Sequence, residues 1–264
     1  MLFTRLRSWL FLLFLALSVI PWATLALLLS VFVRGERLYR WCTAWLRLSV
    51  GAARWICGVR YRVHGTEHLH QAQHIGQVVL LPKHQSTWET FAFPVIMPRP
   101  LSFVFKRELL QIPFFGWAMA RLDMIHIDRS KRNEAWSRIE EQGKAFMALG
   151  HWVIMFPEGT RVPRGESGHY KTGGTRLAVS TGASVLPVAV TSARCWPRKS
   201  LTLHPGIIEV SIGPPLSSQG RQAAELMQEV EAWIEAEMRR LDPGAYVLHE
   251  PPSTQCGRRF CKKL

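Results

Sequence analysis

Residues 77–82, Gln-Val-Val-Leu-Leu-Pro, run directly into Lys83-His84-Gln85-Ser86-Thr87-Trp88-Glu89. The short unbroken apolar run reads as a buried strand, and the polar turn after it can lead into a helix. Further runs carry the same signature at 101–105 (LSFVF), 124–127 (MIHI), 152–156 (WVIMF), 184–190 (SVLPVAV) and 207–212 (IIEVSI). Helical patterns lie between several of them. Arg132–Leu149 ends at Gly150 and Thr172–Thr181 at Gly182, both good C-terminal caps, while Arg221–Leu241 is amphipathic and closes the domain. Strands alternating with helices predict an α/β fold, a largely buried sheet flanked by helices. Residues 61–241 are enough for one such core. The tail, 242–264, is Pro-rich and then basic (GRRFCKKL), and is expected to be loosely held.

Upstream of this domain, Trp9–Val33 gives twenty-five residues without a formal charge. As a helix they extend about 37 Å at about 1.5 Å per residue, enough to cross a hydrocarbon core with some tilt. The run is too long for a signal peptide, and no small-residue cleavage site precedes a polar start. Pro21 sits mid-run and could kink the helix or turn it back. A membrane segment is therefore predicted, with a complete crossing left open. Residues 38–60 give a second signal. Arg40, Arg47 and Arg54 form one helical stripe, and Trp41, Trp45, Leu48, Ala52, Trp55, Ile56 and Val59 gather on an adjoining face. A core helix with a basic edge shows the same pattern. Trp at headgroup level and Arg snorkelling to lipid phosphates favour an amphipathic interfacial helix. Residues 1–60 are thus expected to be membrane-anchoring helices. Arg5 and Arg7 precede the apolar run, whereas Arg34, Arg37, Arg40, Arg47 and Arg54 follow it. The heavier cluster predicts a cytoplasmic location for everything after residue 34.

Composition narrows the function. The 264 residues carry 33 Lys plus Arg against 19 Asp plus Glu, a formal charge of +14, and 48% are apolar. That excludes a disordered chain and implies an anionic partner: a membrane surface, a phosphorylated substrate or nucleic acid. No glycine-rich phosphate loop, zinc finger or aromatic–basic RNA motif supports the last, and the membrane signals account for the charge as well. Cys42, Cys57, Cys195, Cys256 and Cys261 are scattered and form no CxxC pair, so they read as reduced thiols. His64, His68, His70 and His74 lack a Cys or carboxylate partner pattern and read as a polar loop rather than a metal site.

Chemistry is best sought at strand ends, where α/β proteins place reactive groups. His84 and Glu89 are five apart, so a turn into a helix could bring the carboxylate to the imidazole. Such a carboxylate fixes the ring tautomer and supports the cation formed when the other nitrogen takes a proton, as deprotonating an alcohol requires. Ser86 has no nucleophile elbow around it and reads as a capping residue. Cys195, in RCWPRK, has no His motif and does not suggest a thiol acyl-enzyme; Asp128-Arg129 reads as a cap for the next helix. Phe156-Pro157-Glu158-Gly159-Thr160-Arg161 follows another strand and supplies a permissive glycine, a hydroxyl and a guanidinium able to fork onto phosphate. Lys106-Arg107-Glu108-Leu109 with Pro113 and Gly116 follows a third, and Pro187 centres a fourth block.

These blocks, in this order across about residues 61–215, resemble the glycerophospholipid acyltransferases, most closely the bacterial 1-acylglycerol-3-phosphate acyltransferases. The one departure is Glu89, where the family carries Asp. The resemblance implies direct acyl transfer in phospholipid biosynthesis, from acyl-coenzyme A or acyl-acyl carrier protein to the free hydroxyl of a lysophospholipid. His84 and Glu89 are the implied catalytic pair. Lys106, Glu158, Gly159, Thr160 and Arg161 are the implied substrate-binding residues. No metal, bound cofactor or nucleic acid is expected; the partners are membrane lipid, the lysolipid and the thioester carrier, at a bacterial inner membrane. Another lysolipid acceptor, or a non-catalytic basic membrane or nucleic-acid-binding protein, is the alternative.

Overall fold

The computed structural model describes residues 2–128 and 132–246. Its sheet has seven strands: β1 (Val59–His64), β2 (Val78–Pro82), β3 (Leu101–Lys106), β4 (Ile125–Ile127), β5 (Trp152–Ile154), β6 (Ser184–Val190) and β7 (Gly206–Ile212). They lie in the order β1-β7-β6-β2-β5-β3-β4, all neighbours parallel except β6 with β7. β2 sits in the middle with all five residues buried, because its side chains feed two cores at once. Val78 and Leu80 join the core on one face, Val79 and Leu81 the core on the other. Alternation across a doubly covered strand leaves no polar face, which is why this stretch reads as an unbroken apolar run.

One core takes in α1 (Leu2–Leu29), α2 (Gly35–Cys57), α3 (Thr66–Ile75) and α4 (Trp88–Ile96). The other takes in α6 (Arg132–Ala148), α7 (Gly173–Thr181) and α8 (Ala223–Leu241). Two short helices, α5 (Phe115–Met119) and α9 (Pro243–Tyr246), complete the set among the described residues.

The helix expected over 38–60 spans 35–57 and stops at Gly58, whose φ of 72° forms a left-handed cap bonded back to Ala53 and Arg54. The residues after it open β1, which the sequence did not suggest. β1 is an edge strand with Arg60, Tyr61 and Arg62 exposed, so it has no apolar run to recognise. The four histidines taken for a loop are spread over β1 and α3. His64 Nε2 lies 2.7 Å from Glu209 Oε2, and His68 Nδ1 is 2.9 Å from the Ile212 carbonyl. Residues 247–264, most of the expected tail, lie outside the described residues, as does Arg129 of the expected cap. The start of the tail is held down by Arg164, which donates to both Asp242 oxygens at 2.6 and 2.7 Å.

The N-terminal helices are built into the domain. α1 is long and apolar enough to cross a bilayer by length and composition. Pro21 lies inside it without ending it, and after a turn at 30–34 α2 folds back along it. Trp22 stacks on Trp41 with ring centroids 5.0 Å apart and donates to its carbonyl at 3.2 Å; Trp45 donates to Ser18 at 3.1 Å. At the other end Arg7 donates to the Ile56 carbonyl, and Ser8 accepts from the Leu203 amide at 2.9 Å. Phe11 is 1% exposed and meets Trp196 edge-on at 5.6 Å. Both arginine clusters used to read orientation therefore belong to one closed hairpin, with residues 7 and 56 at the same end.

This docking has a measurable consequence. Phe11→Ala leaves a cavity between the hairpin and the α/β domain, and a buried Phe→Ala change costs about 3–5 kcal/mol. Thermal unfolding in detergent should show the whole domain melting earlier. An unchanged transition would mean that α1 is only a tether.

Candidate active site

β2 delivers His84. The ladder continues one residue past the strand, Lys83 N donating to the Val188 carbonyl at 2.9 Å, and then the chain leaves the sheet. The Ser86 hydroxyl accepts from the Trp88 amide at 3.1 Å, starting α4 and placing Glu89 in its first turn. Glu89 is fully buried. Its Oε1 accepts from the amides of Gln85 (2.9 Å) and Ser86 (2.8 Å) and from the Ser192 hydroxyl, leaving Oε2 for His84 Nδ1 at 2.5 Å. A carboxylate at a helix start, among amide donors, sits where negative charge is favoured. The His84 ring also stacks on Phe156, centroids 3.8 Å apart and planes 21° from parallel. Orientation and tautomer are both set, and Nε2 is the nitrogen left for a substrate.

The block 156–161 splits into two roles. Gly159, Thr160 and Arg161 line the same cavity as His84. Gly159 has φ 66°, a left-handed turn that a side chain would strain. Arg161 Nη1 donates to Thr87 Oγ1 at 2.6 Å, and Arg198 donates to the Arg161 carbonyl at 2.6 Å. Glu158, expected beside them as a substrate-binding residue, points the other way. It is buried, and its Oε2 accepts the His84 backbone N–H at 2.8 Å while Oε1 lies 2.8 Å from Lys83 Nζ. Successive side chains of a loop leaving a strand diverge, and the motif alone does not say which way each one turns. On the other side of His84, its carbonyl accepts from Val162 N at 2.8 Å. Glu158 and Val162, within and just after the block, therefore hold the backbone of His84 from both sides.

Beneath this loop lies a cation that sequence reasoning passed over. Lys83 is 0% exposed. Its ammonium meets Glu158, Glu235 Oε1 at 2.6 Å and the Glu166 carbonyl at 3.2 Å, above the Tyr170 ring. Tyr170 OH donates to Glu235 Oε1 at 2.8 Å. Burial pushes the Glu158 carboxyl above its ordinary range, with Lys83 opposing, and burial chiefly pushes the Tyr170 phenol up as well. Lys83 at the end of a wholly apolar strand, and Glu235 beside Ile234 in α8, were visible departures from pattern. Ser192, just past β6, had no such signal. Cys195 is buried, and its thiol is pushed up to about 11 by that burial, so it stays protonated near neutral pH.

The cavity measures about 600 Å³. Its lining includes the polar side chains of His84, Thr87, Lys106 and Arg161, and apolar residues of α1, α2, α4, β3 and α5, among them Ala23, Ala26, Phe91 and Met119. Lys106 ends β3, and a 3₁₀ turn, Arg107–Gln111, carries the chain on to α5. Gly116 lets α5 close on that turn: a Cβ there would fall 2.5 Å from the Leu109 carbonyl oxygen. The cavity lies at the carboxyl ends of central strands, where open α/β sheets bind their ligands.

Similarity to known proteins shows the family. Residues 60–191 match the family model described as Acyltransferase, and the chain belongs to that family. It is 41% identical over 253 residues to the 1-acyl-sn-glycerol-3-phosphate acyltransferase of Pseudomonas aeruginosa, covering 94% of this chain and 96% of that relative. It is 30% identical over 174 residues to the enzyme of the same name from Escherichia coli, covering 65% of this chain and 71% of the other. The crystal structure of the 1-acyl-sn-glycerophosphate acyltransferase of Thermotoga maritima superposes with a TM-score of 0.75 at 24% identity, covering 90% of this chain and 95% of that one, and shares its fold.

Glu158→Gln separates the two readings of that residue. The amide oxygen can still accept from the His84 N–H, but the charge opposite Lys83 is gone. A residue that positions His84 should show a fall in kcat with the acceptor KM nearly unchanged. A selective rise in acceptor KM would return Glu158 to the substrate.

Proposed function

We propose that this protein transfers an acyl chain from acyl-coenzyme A or acyl-acyl carrier protein to the free hydroxyl of 1-acyl-sn-glycerol 3-phosphate, giving phosphatidic acid. One observation carries the reading. An imidazole anchored through Nδ1 to a buried carboxylate lines a mostly apolar cavity that is also lined by Arg161 and Lys106. The relatives' activity and the four blocks support the same substrate class.

In this mechanism the acceptor hydroxyl gives its proton to His84 Nε2 as its oxygen attacks the thioester carbonyl. Glu89, bonded to Nδ1, stabilises the imidazolium. The C–S bond then breaks, the proton passes from His84 to the leaving thiolate, and the new ester departs. Arg161 forks onto the acceptor phosphate, with Lys106 as a second cation and Gly159 and Thr160 shaping the approach. The apolar length of the cavity takes an acyl chain. The thioester carrier is consumed as a substrate, so the scheme uses no resident cofactor or metal. Both carriers are anionic and suit a chain of charge +14.

The membrane reading follows from the hairpin. Arg47 is exposed near the middle of α2, and Glu36, Arg37 and Arg40 stand at its start. A full crossing by α1 would carry α2 with it and put Arg47 at mid-bilayer, where a charge costs about 2.5–3.5 kcal/mol or more. We infer instead that the hairpin lies along the interface of one leaflet with these charges at headgroup level, the domain being on the cytoplasmic face of the inner membrane.

Purified protein offered a panel of lysolipids with each donor tests the assignment, and activity confined to acceptors without phosphate would sink it. His84→Ala should lower kcat about 10²–10⁴-fold, the usual worth of a general base. Arg161→Ala should raise the acceptor KM on the order of 10- to 100-fold, since a charge-assisted bond contributes about 1.5–3 kcal/mol, and leave the donor KM near wild type. An effect of Arg161→Ala on the donor alone would put the phosphate elsewhere.

A further inference from the structure

The segment joining β3 to β4 is apolar on two sides. Phe115, Met119 and Leu122 line the cavity. On the outside, Ile112 is 43% and Trp117 48% exposed. The inner face is already satisfied by the cavity wall, so the outer one is not a misplaced core face. The local backbone fixes how Trp117 is presented. Gly116 packs against the carbonyls of Leu109 and Leu110, and Phe114, at φ 62°, sets its ring 5.4 Å from that of Trp117.

What surrounds this face points to one partner. α5 packs against α1, whose outer side exposes Leu13, Leu17, Ile20, Leu25 and Leu28. The two apolar surfaces therefore belong to neighbouring elements. Lys106 and Arg107 stand exposed at one end of the segment and Arg121 at the other, with Glu108 the single acid between them. Tryptophan and isoleucine bracketed by cations form the pattern of a segment lying at the headgroup–acyl boundary of an anionic bilayer.

We propose that residues 107–122 are a second membrane-inserting element beside the hairpin, over which a lipid chain passes from the bilayer into the cavity. The passage rests on the lysolipid reading above; the insertion rests on the surface alone. A segment with lipid on one side and the substrate cavity on the other is the shortest path between them, and it lets an acceptor leave the bilayer without its acyl chain crossing water.

The test uses the full chain and vesicles of phosphatidylethanolamine with phosphatidylglycerol. Flotation is measured at limiting lipid, with rates on oleoyl-lysophosphatidic acid in the vesicles and on monomeric hexanoyl-lysophosphatidic acid in solution. The pair Ile112→Ser with Trp117→Ser should lower vesicle partitioning and the vesicle-borne rate by about tenfold or more. The rate on the soluble acceptor should stay within about twofold, as expected for surface changes outside the site. Trp117→Phe, which keeps an aromatic, should behave as wild type. Equal loss on both acceptors would overturn the proposal and make the face part of the domain's own packing. No change on either would overturn it in favour of a protein partner. A wild type inactive on both acceptors with either donor would sink the acceptor reading instead, and flotation would still decide whether this face meets lipid.

Discussion

A lysine with no exposure, one residue before the imidazole, constrains the rest of the site. Removing an ammonium from water costs several kcal/mol, repaid only when its partners are in place with good geometry. For Lys83 those partners come from distant parts of the chain: Glu158 after β5, Glu235 in α8, and the Glu166 carbonyl between them. Two carboxylates face one ammonium, and burial moves Glu158 toward its neutral form, which relieves part of the excess negative charge. Docking any one of these segments wrongly would strand a buried charge, at a cost of about 3–5 kcal/mol. The chain therefore has one way to close beneath His84. Glu158 transmits that closure directly, since the same carboxylate that meets Lys83 accepts the His84 amide.

Much of the fold was legible because the sheet is covered on both faces. Strands at its centre have no alternation to confuse with a helix and stand out as apolar runs, and all six runs expected from sequence are strands. The misses sit at the margin. β1 pairs only with β7 and keeps its arginines in water, so its residues look like the tail of a basic helix. α3 carries few apolar side chains because only Ala72 is buried on it. Within the site, residue types at strand ends marked His84, Glu89 and Arg161 as chemically able. Side-chain direction was not available, and that is the information which divides Glu158 from Gly159 and Thr160. Ser192 is a further case: its hydroxyl matters only through Glu89, 103 residues earlier in the chain.

The apolar N-terminus was read from composition as an anchor ahead of a separate domain. Composition cannot tell lipid from protein as the apolar surroundings of a leucine. In the structure α1 has one side against protein and one side exposed. Phe11, Ala23 and Ala26 are buried against the molecule, while Leu13, Leu17 and Leu28 are exposed. Ala23 and Ala26 also line the cavity, so the helix that exposes an apolar side to solvent is at the same time a wall of the proposed acyl-chain chamber. Small residues suit that position because they leave volume for a ligand. Trp22, stacked on Trp41 between α1 and α2, holds the hairpin shut and lines the cavity as well.

Glu89 shows why the longer acid is compatible with the motif. The constraint at this position is set by what the carboxylate must reach, not by its distance along the side chain. One oxygen has to meet the amides of residues 85 and 86 and the other the imidazole of residue 84, all contributed by the turn that the same residue helps to start. Those donors lie on the backbone immediately preceding α4, so a small adjustment of the helix start can absorb a methylene while every bond is kept. Ser192 approaches the same oxygen from β6's far end and fixes where that adjusted carboxylate stops. The imidazole then sees a negative charge held by three donors besides itself. A substitution that looks like a departure in sequence therefore keeps a buried carboxylate in contact with the His84 imidazole, as the proposed proton transfer asks.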